Sequence, residues 1–254
     1  PNMAQKGTIS VEKTGEVFFG VNVSGEEDKD VIYQPVYKVK GLAGAVYEIT
    51  ADEDVITPDG TLRYHKGDVV DTVTTDEDGT AKSKELYLGK YNVVETKAPT
   101  GMVINKEKHS VELTYAGQDV AVTETATSYV NERQKVKISL EKILEQDEIF
   151  GIGKNNEIKN ISFGLYAKED VVSSSGTVIP ADGLIEIITL DENGAATANT
   201  DLPFGSYYVK EIATDEHYIL SDTQYPFTFE YAGQNTETVE IKVNDGCLLY
   251  TSPS

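Results

Sequence analysis

The chain has 254 residues, enough for one large domain or two ordinary ones, and its 39% hydrophobic content is enough to fill real cores. Forty-three acidic residues against 22 basic ones give a formal charge of -21, spread along the chain, which disfavours nucleic acid and anionic membrane as partners. The single cysteine, Cys247, excludes an intramolecular disulfide and a zinc cluster; no run reaches the apolar length of a membrane helix, and no basic-plus-apolar leader opens the chain. The start at Pro1 reads as that of an internal fragment.

The first element is the strand around "ISVEK", Ile9 to Lys13. Side chains on a strand alternate between two faces, so Lys13 shares the apolar face of Ile9 and Val11, while Ser10 and Glu12 point away. A segment with aromatic residues follows, Glu16 to Lys40, containing Phe18, Phe19, Tyr33 and Tyr37. Beyond it, turn signals recur at short intervals: Pro58-Asp59-Gly60, Asp78-Gly79, Ala116-Gly117, Asn193-Gly194 and Ala232-Gly233. Between them lie short segments of period-two alternation rich in Tyr, Val, Thr and Ile, with no amphipathic helix longer than a turn or two. The pattern predicts an all-β chain.

The chain then repeats itself. "ISLEK" at Ile138 to Lys142 echoes the opening strand, with Val136, Ile138, Leu140 and Lys142 on one face. "GLAGAVYEITADEDV" from Gly41 is echoed by "ISFGLYAKEDVV" from Ile161. "TTDEDGTAKSKELYLGKYNVVETKAPTG" from Thr74 is echoed by "TLDENGAATANTDLPFGSYYVKEIATDE" from Thr189. Each copy closes on an asparagine followed by an acid, "SYVNE" at Asn131 and "IKVND" at Asn244. Two tandem domains follow, residues 6–133 with an insertion at 16–40 and residues 134–246, joined by the charged Glu132 to Lys135. The final "CLLYTSPS", residues 247–254, breaks the pattern and reads as a non-native, vector-like tail.

Each copy also aims a carboxylate inward: Glu95 shares a face with Tyr91 and Val93, and Glu211 with Tyr207 and Val209. A buried lysine tends to lose its proton and a buried glutamate to keep one, which sets a nucleophilic amine beside a proton donor. Attack of that amine on an asparagine carboxamide would release ammonia and leave a Lys-Asn isopeptide bond. Two plainer readings stand beside this one: a strand-end lysine whose amine reaches solvent, and a buried Lys-Glu ion pair without chemistry. Simple alternation also turns Asn244 outward, because Val239, Ile241 and Val243 define the apolar phase; Asn131 raises the same question next to Val130. A bulge could re-aim either.

The run "ELYLGKYNVVETKAPTG" from Glu85 resembles the signature of the Cna protein B-type, or SpaA-type, prealbumin-like domains of Gram-positive surface proteins and pilins. The second copy keeps Leu202, Pro203, Gly205, Tyr207 and Glu211 but lacks the Ala-Pro-x-Gly ending. The resemblance implies two tandem transthyretin-like, immunoglobulin-like β-sandwiches in an extracellular, cell-wall-anchored adhesin or pilin. It also implies an autocatalytic intramolecular isopeptide bond in each: Lys13 to Asn131 with Glu95 as catalytic acid, and Lys142 to Asn244 with Glu211. The partners it implies are neighbouring domains of the same surface protein, with no cofactor and no direct membrane contact.

Other candidate sites are weaker. Asp76, Asp78, Gly79 and Glu85 sit at calcium-loop spacing, but Thr74 occupies the first ligand position, so Asp78-Gly79 reads as a tight turn and no metal is expected. The three histidines, His65, His109 and His217, do not recur between copies. The aromatic insertion has two readings: it covers a strand edge, or it forms a face that binds a host matrix protein or glycan.

Overall fold

A computed structural model describes residues 3–26, 30–247 and 249–251, so the expectations for residues 27–29, 248 and 252–254 lie outside the described residues. The described chain is built from strands with two short 3-10 turns, Glu157–Asn160 and Val243–Gly246. It forms two compact units, one comprising residues 1–17, 38–134 and 233–237, the other residues 18–37, 135–232 and 238–254.

In the first unit, the lysine strand opens at Lys6 and pairs in parallel with the closing strand Val122–Asn131, from Lys6 opposite Val122 to Gly15 opposite Asn131. The short strands Thr80–Lys82 and Leu86–Tyr87 pair antiparallel with it. A four-stranded antiparallel sheet faces it, in the order Lys108–Leu113, Gly89–Lys97, Val46–Ala51, Val69–Thr74. Ile9, Val11 and Tyr129 from one layer meet Tyr47, Ile49, Tyr91 and Val93 from the other in a continuous apolar core. Alternation buries Lys13 with Ile9 and Val11 and leaves Glu12 exposed.

The second unit repeats the plan. Its lysine strand, Lys135–Leu144, pairs antiparallel with Ala195–Thr197 and in parallel with Thr238–Lys242, from Lys135 opposite Thr238 to Ser139 opposite Lys242. The chain then leaves the ladder through the turn Val243–Gly246 and returns as Leu249–Thr251, which pairs with Lys142 to Leu144. These residues of the supposed tail are thus a strand of the second unit. The facing sheet runs Leu184–Thr189, Ser162–Ala167, Gly205–Ala213, Gln224–Phe229, and Ile32 of the strand Ile32–Gly41 pairs in parallel with Leu184.

Residues 16–40, read from the sequence as an insertion of the first domain, divide differently: residues 18–37 belong to the second unit, where Phe18, Val21 and Tyr33 pack against its core. The charged junction is tied down. Gln134 is buried; its amide donates to the Gly101 carbonyl and its side chain donates to the carbonyls of Gly233 and Thr236, all within the first unit. Among the described residues no helix is long and apolar enough to cross a membrane.

Candidate crosslinking site

Lys13, Glu95 and Asn131 converge in the core of the first unit, 0%, 2% and 2% exposed. Each comes from a different strand, and each is placed by alternation. Tyr91, Val93 and Glu95 point inward together, and Tyr129 and Asn131 do so while the intervening Val130 stands 58% exposed. Asn131 is therefore in phase with Tyr129, and no bulge is needed in its strand. A register shift does occur opposite the glutamate strand, where Val46 faces Lys97 but Tyr47 faces Glu95; Ser162 facing Ala213 and Phe163 facing Glu211 repeat it in the second unit.

The lysine Nζ donates to Asn131 Oδ1 and lies 3.4 Å from Glu95 Oε1. Asn131 Nδ2 donates to Glu95 Oε1 and Oε2 at 3.1 and 3.0 Å and to the Val103 carbonyl at 3.0 Å. The Asn105 amide donates to Glu95 Oε2 at 2.7 Å. Glu95 thus touches both the amine and the amide nitrogen, and the loop carrying the Ala-Pro-x-Gly signature supplies the groups that orient both the carboxylate and the carboxamide. The rings of Tyr47 and Tyr129 flank the amine, with Nζ 5.6 and 5.2 Å from their centroids, and the His109 ring stacks on Tyr129 at 3.8 Å. Burial in this apolar box lowers the Lys13 pKa, and the attraction of Glu95 only partly opposes it.

The tight turns found in the sequence turn out to seat the lysines. Gly79, at φ 79°, accepts a hydrogen bond from the Lys13 amide, and a Cβ there would come within 2.3 Å of the Lys13 carbonyl oxygen. Gly194 stands in the same relation to Lys142, with φ 80° and a Cβ position 2.1 Å from the Lys142 oxygen. Sequence reading identified both turns without this role, which depends on a contact across more than fifty residues. The calcium-like spacing resolves into the same turn: Asp76 accepts hydrogen bonds from the amides of Asp78 and Thr80, which hold its carboxyl below the usual range.

In the second unit Lys142 and Glu211 are buried together, with Nζ 3.0 Å from Glu211 Oε2. Asn244 does not join them. It is solvent-exposed in the turn Val243–Gly246, where it and Asp245 have left-handed backbones at φ 59° and 52°. The reason is register: the strand that carries Val239 and Ile241 ends before reaching Lys142, and the residues that face the lysine come after the turn. The lysine instead donates to Thr251 Oγ1.

The sequence model described as "SpaA: Prealbumin-like fold domain" matches residues 36–142 and 150–246. Among solved structures, the Bacillus anthracis TIE protein is similar at a TM-score of 0.55 and 19% identity, over 98% of this chain and 34% of that one. The chain therefore spans about a third of that structure. The minor pilin GBS52 of Streptococcus agalactiae aligns over 98% of this chain and 96% of its own at 15% identity and a TM-score of 0.31. No curated protein matches the chain.

Proposed function

The chain belongs to the SpaA prealbumin-like domain family, and from that premise we propose that it is a force-carrying section of a Gram-positive pilin or surface adhesin, anchored to the cell wall and linked to neighbouring domains or subunits. In this reading its first unit is closed by an autocatalytic Lys13-Asn131 isopeptide bond. The observation that carries it is the buried contact of Lys13 Nζ with the Asn131 carboxamide, bridged by Glu95.

The chemistry balances without a co-reactant. The neutral amine of Lys13 attacks Asn131 Cγ, the Nζ–Cγ bond forms and the Cγ–Nδ2 bond breaks. Glu95 takes a proton from Nζ and delivers it to Nδ2, which leaves as ammonia. Burial favours the uncharged amine, and the hydrogen bonds from Nδ2 to Glu95 and Val103 aim the leaving group at its proton source. The site reacts once, so the protein crosslinks itself and is not a turnover enzyme.

The bond joins two adjacent parallel strands near the ends of the unit. Tension applied through them meets a covalent link before it reaches the hydrogen-bond ladder. Lys13 and Asn131 are 118 residues apart, so the bond conceals roughly 400 Å of extended chain. Single-molecule pulling between the termini tests this: the native chain should never release that length, and Glu95→Gln should release it. Release of the full length by the native chain would contradict the proposal.

Binding of a host matrix protein or glycan through residues 16–40 is not favoured. Phe18 and Tyr33 pack against the second unit's core, and the Tyr37 hydroxyl donates to the Asp201 carbonyl at 2.8 Å, so these aromatics serve packing.

A further inference from the structure

We propose that Asn193 is a site of slow self-modification, deamidation to aspartate and isoaspartate, and that the seating of its turn on Lys142 holds the reaction off in the folded chain. Asn193 is the only asparagine in the sequence that glycine follows. The pair lies in the second unit, whereas Lys13, Glu95 and Asn131 belong to the first.

The reaction needs nothing but water. The Gly194 amide nitrogen attacks Asn193 Cγ, the N–Cγ bond closes a succinimide ring, and the Cγ–Nδ2 bond breaks; Nδ2 leaves as ammonia, taking the proton of the Gly194 amide. A Cβ at position 194 would crowd the attacking nitrogen, and glycine has none. Water then opens the ring at one of its two carbonyls. Opening at Cγ keeps the original peptide bond and leaves an aspartate at 193. Opening at the main-chain carbonyl leaves isoaspartate, whose backbone runs through Cβ and Cγ and is longer by one methylene.

The folded turn holds both reactants and keeps them apart. Asn193 is exposed to water, whereas Gly194 is buried. The Gly194 amide donates to the Asp191 carbonyl at 3.1 Å, so the nucleophilic nitrogen is engaged. The amides of Asn193 and Ala195 both donate to Asp191 Oδ1, at 2.8 and 2.9 Å, and fix the backbone on either side of it. The Gly194 carbonyl accepts from the Lys142 amide at 2.8 Å, and a Cβ on Gly194 would lie 2.1 Å from the Lys142 oxygen. The nitrogen reaches Cγ only when the turn lifts off Lys142 and gives up these bonds, so the population of that local opening sets the rate.

The two products differ in whether they can return. In the first unit Asp78 occupies the corresponding place: its amide donates to Asp76 Oδ1 at 3.0 Å, the Gly79 amide donates to the Asp76 carbonyl, and the Lys13 amide donates to the Gly79 carbonyl at 2.7 Å. An aspartate at 193 therefore reseats in the same turn. Isoaspartate does not, because the added methylene displaces the Gly194 carbonyl from the Lys142 amide in a contact with no spare room, which traps the turn off its seat.

Peptide mapping of the full chain, aged in mildly alkaline buffer, reads the reaction as a gain of about 1 Da on the peptide holding Asn193, and a protease that cuts at aspartate but not at isoaspartate separates the products. Unfolded in guanidinium chloride, the chain should gain that mass at Asn193 before any other asparagine; folded, it should do so at least about ten-fold more slowly. Asp191→Ala removes the acceptor shared by the turn amides and should speed the folded reaction several-fold. If circular dichroism shows that variant unfolded, Glu211→Gln, which removes the charge paired with Lys142, carries the same expectation. Asn193→Asp should melt as the native chain does. Equal rates in the folded and unfolded chain, or no acceleration in the folded variant, would overturn the gating by Lys142. An unfolded chain that stays unmodified at Asn193 would overturn the site itself.

Discussion

Replacing Glu95 with glutamine keeps the shape of the side chain and removes its ability to relay a proton, so the first unit should fold without closing its bond. The magnitude follows from the loop. A crosslink between residues 118 apart removes loop-closure entropy worth about 5 kcal/mol from the unfolded state in the chain-entropy treatment used for disulfides. At about 2.1 cal/mol/K per residue, unfolding a segment of that length carries roughly 0.25 kcal/mol/K, so the transition of the first unit should drop by about 20 °C. Scanning calorimetry paired with intact mass reads both quantities on one sample. Glu211→Gln is the control: it should leave the mass unchanged and destabilise only the second unit, because it removes the charge that pairs with buried Lys142. A Glu95→Gln protein that still loses ammonia would remove the proton relay. One that lacks the bond yet melts within a few degrees of the native chain would refute the entropic argument.

Gly79→Ala should cost about 1–3 kcal/mol in urea denaturation, because alanine is strained at φ 79° and its Cβ would meet the Lys13 carbonyl oxygen; an unchanged midpoint would count against the seating role of the turn. In the uncrosslinked Asn131→Ala protein the folded Lys13 pKa lies below the ordinary 10.5, so the unfolded state binds more protons and stability should rise with pH between the lowered value and 10.5. Denaturation midpoints measured against Lys13→Met/Asn131→Ala would expose a flat or falling profile if burial does not set that pKa. Limited chymotrypsin digestion should cut first at Phe150, which is 77% exposed, and limited trypsin should spare Arg133 beside the buried Gln134; early cleavage at Arg133 would contradict the tethered junction.

The all-β architecture and the inward lysines and glutamates were legible because strand periodicity fixes a residue's face from its neighbours alone, and Lys13, Lys142, Glu95 and Glu211 each continue an apolar phase. Asn131 was legible through Tyr129, once Val130 is recognised as the outward residue. The exposure of Asn244 was not, because the resemblance between "YVNE" and "VND" is local, whereas the residues beside the lysine are set by which segment pairs opposite it. The turn Val243–Gly246 shifts that pairing by four residues, from the register of Ser139 with Lys242 to that of Lys142 with Leu249. That residues 18–37 belong to the second unit was not legible, because a strand pattern does not say which core the strand serves. The charge of Glu132 to Lys135 marks a junction, and only the long-range hydrogen bonds of Gln134 to Gly101, Gly233 and Thr236 show that it is tied down.

The intact mass of the folded native chain tests the central claim most directly. One Lys13-Asn131 bond and an ion pair at Lys142 require a mass about 17 Da below that of the sequence, where sequence analysis alone implied about 34 Da, together with a branched peptide containing Lys13 and Asn131. A mass equal to that of the sequence would reduce Lys13 to a buried charge paired with Glu95. A deficit of about 34 Da, with Lys142 joined to Asn244, would contradict the register on which the account of the second unit stands.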